Sequence, residues 1–334
     1  MPMTLHHLPL RTHRFALPNF RFHTGAVMDA LQMHCVTLGN PAGEPVLLLH
    51  GTGGSAQSFL APDFGGLLFG PGQPLDASRY LLVMPDSLGH GGSAKPSDGL
   101  RTGFPRYNYD DMVQAQHRLV SEGLGIRHLR LVLGNSMGGM HAWLWGTRFP
   151  DAMDALVAMA CQPAPMAGRN WILRRLIGEL IRSDGDYQAG DYVQQPRAAR
   201  LASIFFAFAT NGGNLALQQA AGTRAEADAL LDARLSAPFT ADANDLIYQW
   251  EASGDFDPSP DLERISAQVL AINAADDERN PPETGAMERA MRRVKHGRHL
   301  LIPASVHTAG HGTTWNARWY LDELAALLKA APRG

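Results

Sequence analysis

Along the chain, short apolar runs alternate with longer stretches in which apolar residues recur at helical spacing. Val46–His50, Tyr80–Met84, Leu129–Leu133, Ala155–Ala160, Val269–Ile272 and His299–Ile302 are runs of the first kind, and several end at Gly or Pro. Nearly continuous apolar runs of this length predict strands buried on both faces. Leu31–Leu38 predicts an earlier strand, while Tyr109–Glu122, Gly139–Arg148 and Pro282–Arg293 predict helices. Strands alternating with helices predict an α/β fold, a mostly parallel sheet covered by helices on both faces. In such sheets ligands gather at the C-terminal ends of the strands.

From about Pro163 to Glu251 the pattern changes to Ala, Leu, Gln and Arg with few strand signals. This predicts a helical insertion, so the expected organisation is a core in two parts, 1–162 and 252–334, with a cap at 163–251. The apolar stretch Ile204, Phe205, Phe206 and Phe208 inside it suits core packing or a dimer contact, or the lining of an acyl pocket. Trp143, Trp145 and Trp250 are read as packing residues.

Composition narrows the classes. The 334 residues carry 29 basic and 32 acidic side chains, a net charge of −3, which offers no surface for nucleic acid. Cys35 and Cys161 lack metal-ligand spacing and are expected to be buried thiols. No metal cluster is apparent, and His6-His7 reads as a surface pair. No apolar run approaches the ~20 residues of a membrane span, and Met1–Phe15 has no apolar core of a signal peptide. A cytoplasmic protein without membrane contact is expected.

The candidate chemistry sits just after the strand runs. Gly134-Asn135-Ser136-Met137-Gly138 has the form G-x-S-x-G between a strand and a helix, the context of a nucleophile elbow. A serine needs a base and an orienting acid. After Val269–Ile272 come the adjacent Asp276 and Asp277. Asp277 has the better spacing from the strand and to the following proline, and Asp276 is the alternative acid, or a cap for a helix entered at Pro281 or Pro282. After the last run, His307 and His311 both qualify as the base. His311 is preferred because Gly310 and Gly312 flank it. Backbone N–H donors for an oxyanion are expected from Met137 and, in the loop His50-Gly51-Thr52-Gly53-Gly54, from Thr52. Asp86-Ser87-Leu88-Gly89-His90-Gly91-Gly92-Ser93 is read as a structural turn beside the elbow.

Serine, acid and histidine in this order, with a glycine-rich loop after an early strand, resemble the α/β-hydrolase superfamily. A nearer resemblance is to the homoserine O-acetyltransferase family. It rests on Gly70-Pro71-Gly72, Leu75-Asp76 and Arg79-Tyr80, on Asp111-Met112-Val113 with Ala115-Gln116, and on Gly134–Met140. Arg174–Ile177 and Gly190-Asp191-Tyr192 in the insertion add to it. The resemblance implies a homodimer through the cap, acetyl-CoA as acyl donor, and Arg174 as a partner for a substrate carboxylate. Two departures bear on the substrate. Asp86-Ser87-Leu88-Gly89-His90 stands where that family has Asn-x-Leu-Gly-Gly, a stretch more typical of hydrolases. Gly312 stands where that family has an aspartate that binds the homoserine amine.

The leading expectation is a serine acyl hydrolase acting on a small ester or acyl substrate, with Ser136, His311 and Asp277 as triad and no cofactor. The second is an O-acyltransferase using the same residues. The third, a binding protein that has lost the chemistry, conflicts with an intact set of three.

Overall fold

The computed structural model describes residues 10–333. The histidine pair His6-His7 lies outside them. Eight strands form one sheet: β1 (Leu10–Arg21), β2 (Val27–Gly39), β3 (Glu44–Leu49), β4 (Tyr80–Pro85), β5 (Leu129–Asn135), β6 (Met153–Met159), β7 (Gln268–Ala274) and β8 (Gly297–Ile302). Their order is β1-β2-β4-β3-β5-β6-β7-β8. β1 and β2 pair antiparallel, as do β2 and β4. All pairs from β4 through β3, β5, β6 and β7 to β8 are parallel.

The central strands are apolar along most of their length because both faces are covered, with charge near their starts, as at Arg130 and Asp154. Successive residues supply opposite sides: Leu47, Leu49 and Val132 enter one core cluster, while Val46, Leu48, Leu131 and Leu133 enter the other. Every residue of β5 and β6 is buried. This is the period-two geometry of a pleated strand applied to a doubly covered sheet.

β1 is the strand that hydrophobic periodicity does not predict. Most of it is exposed, and only Leu17 and Phe20 are buried. Asn19 has φ +48. That left-handed residue shifts the alternation, so two residues three apart enter the same core cluster and the two-residue pattern is lost.

The helices are α1 (Gly65–Leu68), α2 (Tyr109–Arg118), α3 (Met137–Arg148), α4 (Gly168–Ser183), α5 (Arg197–Thr210), α6 (Asn214–Ala220), α7 (Arg224–Ser236), α8 (Ala243–Glu251), α9 (Ala286–Met291) and α10 (Leu321–Ala330). α2 begins with a capping box between Asn108 and Asp111, and its last turns widen into a π-helix at Leu119–Gly123. The helix expected over Pro282–Arg293 is shorter, because Gly285 at φ +63 separates a turn at Pro282–Thr284 from α9. Between β6 and β7 lie the five helices α4–α8. The apolar faces of α4, α5 and α8 meet in a core of their own, with Ile177, Ile181, Ala202, Phe206, Leu246 and Ile247, while α6 and α7 bury no residue. Among the described residues, no helix is long and apolar enough to cross a membrane. Cys35 and Cys161 are both free and buried, and burial pushes the Cys35 thiol up to about 12.

Candidate active site

Ser136 follows β5 directly and takes φ 56, ψ −115, a strained conformation for a residue with a side chain. Its glycine neighbours are required by close packing. A Cβ on Gly134 would lie 1.9 Å from the carbonyl oxygen of Gly138, and one on Gly138 would lie 1.9 Å from that of Leu49. The Ser136 N–H donates to Met159 O at 2.8 Å, tying the turn to the end of β6.

His311 reaches this serine. Its Nε2 lies 2.8 Å from Ser136 Oγ, and its Nδ1 lies 2.9 Å from Asp277 Oδ2. A carboxylate can only accept, so Nδ1 carries the proton and Nε2 is free to accept from the serine hydroxyl. Burial alone would raise the Asp277 carboxyl, but His311, the Asn280 amide and the Arg279 N–H outweigh it and hold the carboxyl below its usual value. Burial pushes His311 down, Arg279 and Arg174 push the same way, and Asp277 opposes them. The imidazole is therefore neutral at neutral pH, the form a base needs.

The other candidates fall elsewhere. Asp276 Oδ2 accepts from Thr308 Oγ1 at 2.7 Å, so this aspartate braces the histidine loop and does not face His311. The expectation that it caps the helix after Pro281 is also corrected, since the turn at Pro282–Thr284 has no side-chain cap. His307 lines the same cavity, but its backbone N–H bonds to Ser305 and its carbonyl to Arg318, and its ring makes no bond to Ser136.

The loop after β3 lies against the nucleophile: a Cβ on Gly51 would be 3.4 Å from Ser136 Cβ. His50 holds this loop, with Nδ1 donating to Gly51 O at 2.8 Å and Nε2 accepting from Ser87 N at 3.0 Å. Among the described residues, the N–H groups of Thr52 and Met137 have no acceptor. Met137 opens α3, where the first N–H groups are unpaired by geometry. The D-x-x-G-H-G-x-S turn stands behind. Asp86 accepts from Ala56 N, Gly92 N and the His34 ring, and burial depresses His90 to about 3. These bonds are structural.

A cavity of about 610 Å³ opens on Ser136 and His311, lined also by Thr52, Arg279, His307 and Trp315. Arg279 had no assigned role in the sequence. Its Nε donates to Thr210 Oγ1 at 3.0 Å and its guanidinium lies 4.6 Å from the Phe206 ring, with no carboxylate in ion-pair reach among the described residues. Burial and the nearby Arg174 push it down to about 10, against Asp277. Arg174 is fully buried. It donates to Asn170 Oδ1, Ser253 Oγ and Tyr109 OH, and lies over the Trp250 ring at 5.0 Å. It does not line the serine cavity, although its charge acts on His311 and Arg279.

Sequence reading also missed Asn280. Its amide joins Asp277 Oδ2 to Ala160 O, both at 2.9 Å, so it fixes the acid to the end of β6. Trp143 and Trp145 are core residues, whereas Trp250 also faces a cation. Phe206 packs in the helical core, while Phe205 is 53% exposed, and none of the four apolar residues at 204–208 lines the serine cavity. Among the described residues, no group of three or more His, Cys, Asp or Glu side chains could hold a metal.

Known proteins resemble this chain in sequence and in fold. A "Probable acyltransferase" of Methanothermobacter thermautotrophicus is 28% identical over 284 residues, 83% of this chain and 86% of the relative. A homoserine O-succinyltransferase of Magnetococcus marinus is 28% identical over 277 residues, 71% of this chain and 70% of the relative. The crystal structure of an acetylester hydrolase from Corynebacterium glutamicum superposes with a TM-score of 0.81 at 20% identity, covering 96% of both chains, a likeness of fold. Residues 44–309 match the family model described as the alpha/beta hydrolase fold. With that match spanning most of the chain, over a mostly parallel sheet that carries a serine elbow, this enzyme belongs to the α/β-hydrolase fold family.

Proposed function

We propose that the protein is a serine-dependent acyl hydrolase acting on small carboxylic esters. The observation that carries this reading is a single imidazole bonded to Ser136 Oγ on one side and Asp277 Oδ2 on the other. Ser136 Oγ attacks the ester carbonyl as its proton passes to His311 Nε2. The negative charge on the carbonyl oxygen is taken up by the N–H groups of Thr52 and Met137. The tetrahedral species collapses, the C–O bond to the alcohol breaks, and His311 returns the proton to the leaving oxygen. Water then gives a proton to His311 and attacks the acyl-enzyme. The acid departs as Ser136 recovers its proton. Asp277 orients the imidazole and stabilises its charged form throughout.

Ser136→Ala should lower turnover of 4-nitrophenyl acetate by about 10⁶-fold while the folded state persists. Turnover within tenfold of the wild type, or failure of a fluorophosphonate to label Ser136 in the wild type, would sink this mechanism.

A second reading is favoured by the acyltransferase and succinyltransferase relatives. The same acyl-enzyme is formed from acetyl-CoA, and an alcohol takes the place of water. Two guanidiniums near Ser136, Arg279 at the cavity wall and Arg174 behind it, lack carboxylate partners and favour a substrate that carries an anionic group in either reading. Thiol release from acetyl-CoA that requires added alcohol would decide for transfer. Release at the same rate without alcohol would decide for hydrolysis.

We take residues 163–251 as a cap over this site and propose a homodimer through it. Ile172, Leu176 and Leu180 repeat every four residues on α4 and are exposed, with Leu201, Phe205 and Phe208 exposed on α5. Light scattering should give twice the chain mass, and Phe205→Asp should reduce it to one. A monomeric wild type defeats the proposal.

A further inference from the structure

The turn between α5 and α6, Asn211-Gly212-Gly213, is bonded to both loops that carry the candidate acid and base. The carbonyl of Asn211 accepts from the backbone N–H of His311 at 2.7 Å. Its side-chain amide donates to Ala309 O at 2.8 Å. The N–H of Gly213 donates to Asp276 O at 3.1 Å. One residue earlier, Thr210 Oγ1 accepts from Arg279 Nε. A single short segment of the helical insertion thus holds the residue before the acid, the residue two after it, and the base itself.

The contact is backbone against backbone. Gly212 and Gly213 have φ +73 and +75, and a Cβ on Gly212 would sit 1.8 Å from Asp276 O. Gly310, at φ +54, comes as close from the other side: its Cβ would lie 2.0 Å from Asn211 O. Only glycine permits this approach at these dihedrals. Elsewhere the histidine loop is tied by Thr308 Oγ1 to Asp276 and, beyond the histidine, by Thr314 Oγ1 to Asn135 Oδ1. Neither holds the backbone of His311 directly.

We infer that Asn211-Gly212-Gly213 is a positioning element that sets the separation of the His311 and Asp277 loops, and through it the reactivity of Ser136. The inference rests on the acyl-enzyme mechanism proposed above. An imidazole that must bond to a carboxylate and a hydroxyl at once tolerates little displacement, and a shift of about 1 Å in such a site lowers the rate about 10²-fold. The insertion then acts on the chemistry as well as covering it.

The test uses the full chain with Asn211→Ala, which removes one amide and leaves the backbone, and Gly212→Ala, which pushes against Asp276. The readouts are kcat and KM on 4-nitrophenyl acetate, the rate of fluorophosphonate labelling at Ser136, and the urea midpoint. We expect kcat and the labelling rate to fall together, about tenfold for Asn211→Ala and about 10²-fold for Gly212→Ala, with KM within about twofold. A raised KM with unchanged labelling, or no change in either rate, overturns the inference, because a turn that only packs or shapes the pocket would behave so. If Gly212→Ala is unfolded by its urea midpoint, Asn211→Ala decides. A wild type never labelled at Ser136 removes the mechanism and this inference with it, whereas a labelled wild type with unaffected variants removes this inference alone.

Discussion

The two ends of β5 treat buried charge in opposite ways. At the start of the strand, Arg130 is buried and surrounded by acceptors. It pairs with Asp154 at 2.9 Å and donates to the carbonyls of Leu328, Ala331 and Pro332 around the end of α10. His128 adds a bond to the other oxygen of Asp154. Only Nε of Arg130 lacks a bond, with the Glu44 carboxylate 3.9 Å away. A cation at a helix C-terminus also meets the negative end of its dipole. At the finish of the strand, Ser136 is strained, two N–H groups have no acceptor, and Arg279 faces a cavity without a counter-ion. Donors matched to acceptors close a structure. Donors left facing open space are available to a substrate.

This contrast can be broken by mutation at either end. The largest effect is expected at the finish. Asp277→Asn keeps the shape but favours the wrong tautomer of His311, so kcat/KM should fall by about 10⁴. Asp276→Asn should stay within about tenfold, as expected of a brace. Equal losses in the two variants would mean that the acid has been misassigned. The smaller effect is expected at the start. Arg130→Ala removes a buried guanidinium from beside Asp154 and from the carbonyls at the end of α10, and should lower unfolding free energy by about 3–5 kcal/mol in urea titrations. Its kcat on a model ester, measured well below the transition, should be close to the wild type. A large loss of kcat with normal stability would show that the two ends are not separate.

Much of this was legible in the sequence for one physical reason. Parallel strands buried on both faces must be apolar along most of their length, so β3 to β7 stand out as runs, and the edge strand β8, buried only at Ile302, adds a shorter one. The loops after them must converge, so order narrowed the choice to Ser136, two aspartates and two histidines, and spacing and the glycines beside His311 favoured Asp277 and His311. β1 was not legible, because its exposed residues and the left-handed Asn19 erase the pattern. Arg279 was visible as a residue but not as a feature, since its interest lies in a missing carboxylate, which only three dimensions reveal. The Asn211 turn was hidden for a similar reason: it bonds to Ala309, 98 residues away, from within a helical stretch that carries no strand signal.

The placement of the chemistry at strand ends has a consequence for descent. Ser136, Asp277 and His311 are located by the sheet, whose spacing hardly varies, whereas α4, α5 and α8 form a separate core of their own. A lineage can therefore redecorate the insertion and acquire a new substrate while inheriting the reaction unchanged. The seam at Asn211-Gly212-Gly213 limits that freedom. Any insertion grafted from a cousin must bring a turn of the same shape, or the borrowed specificity arrives without a working base.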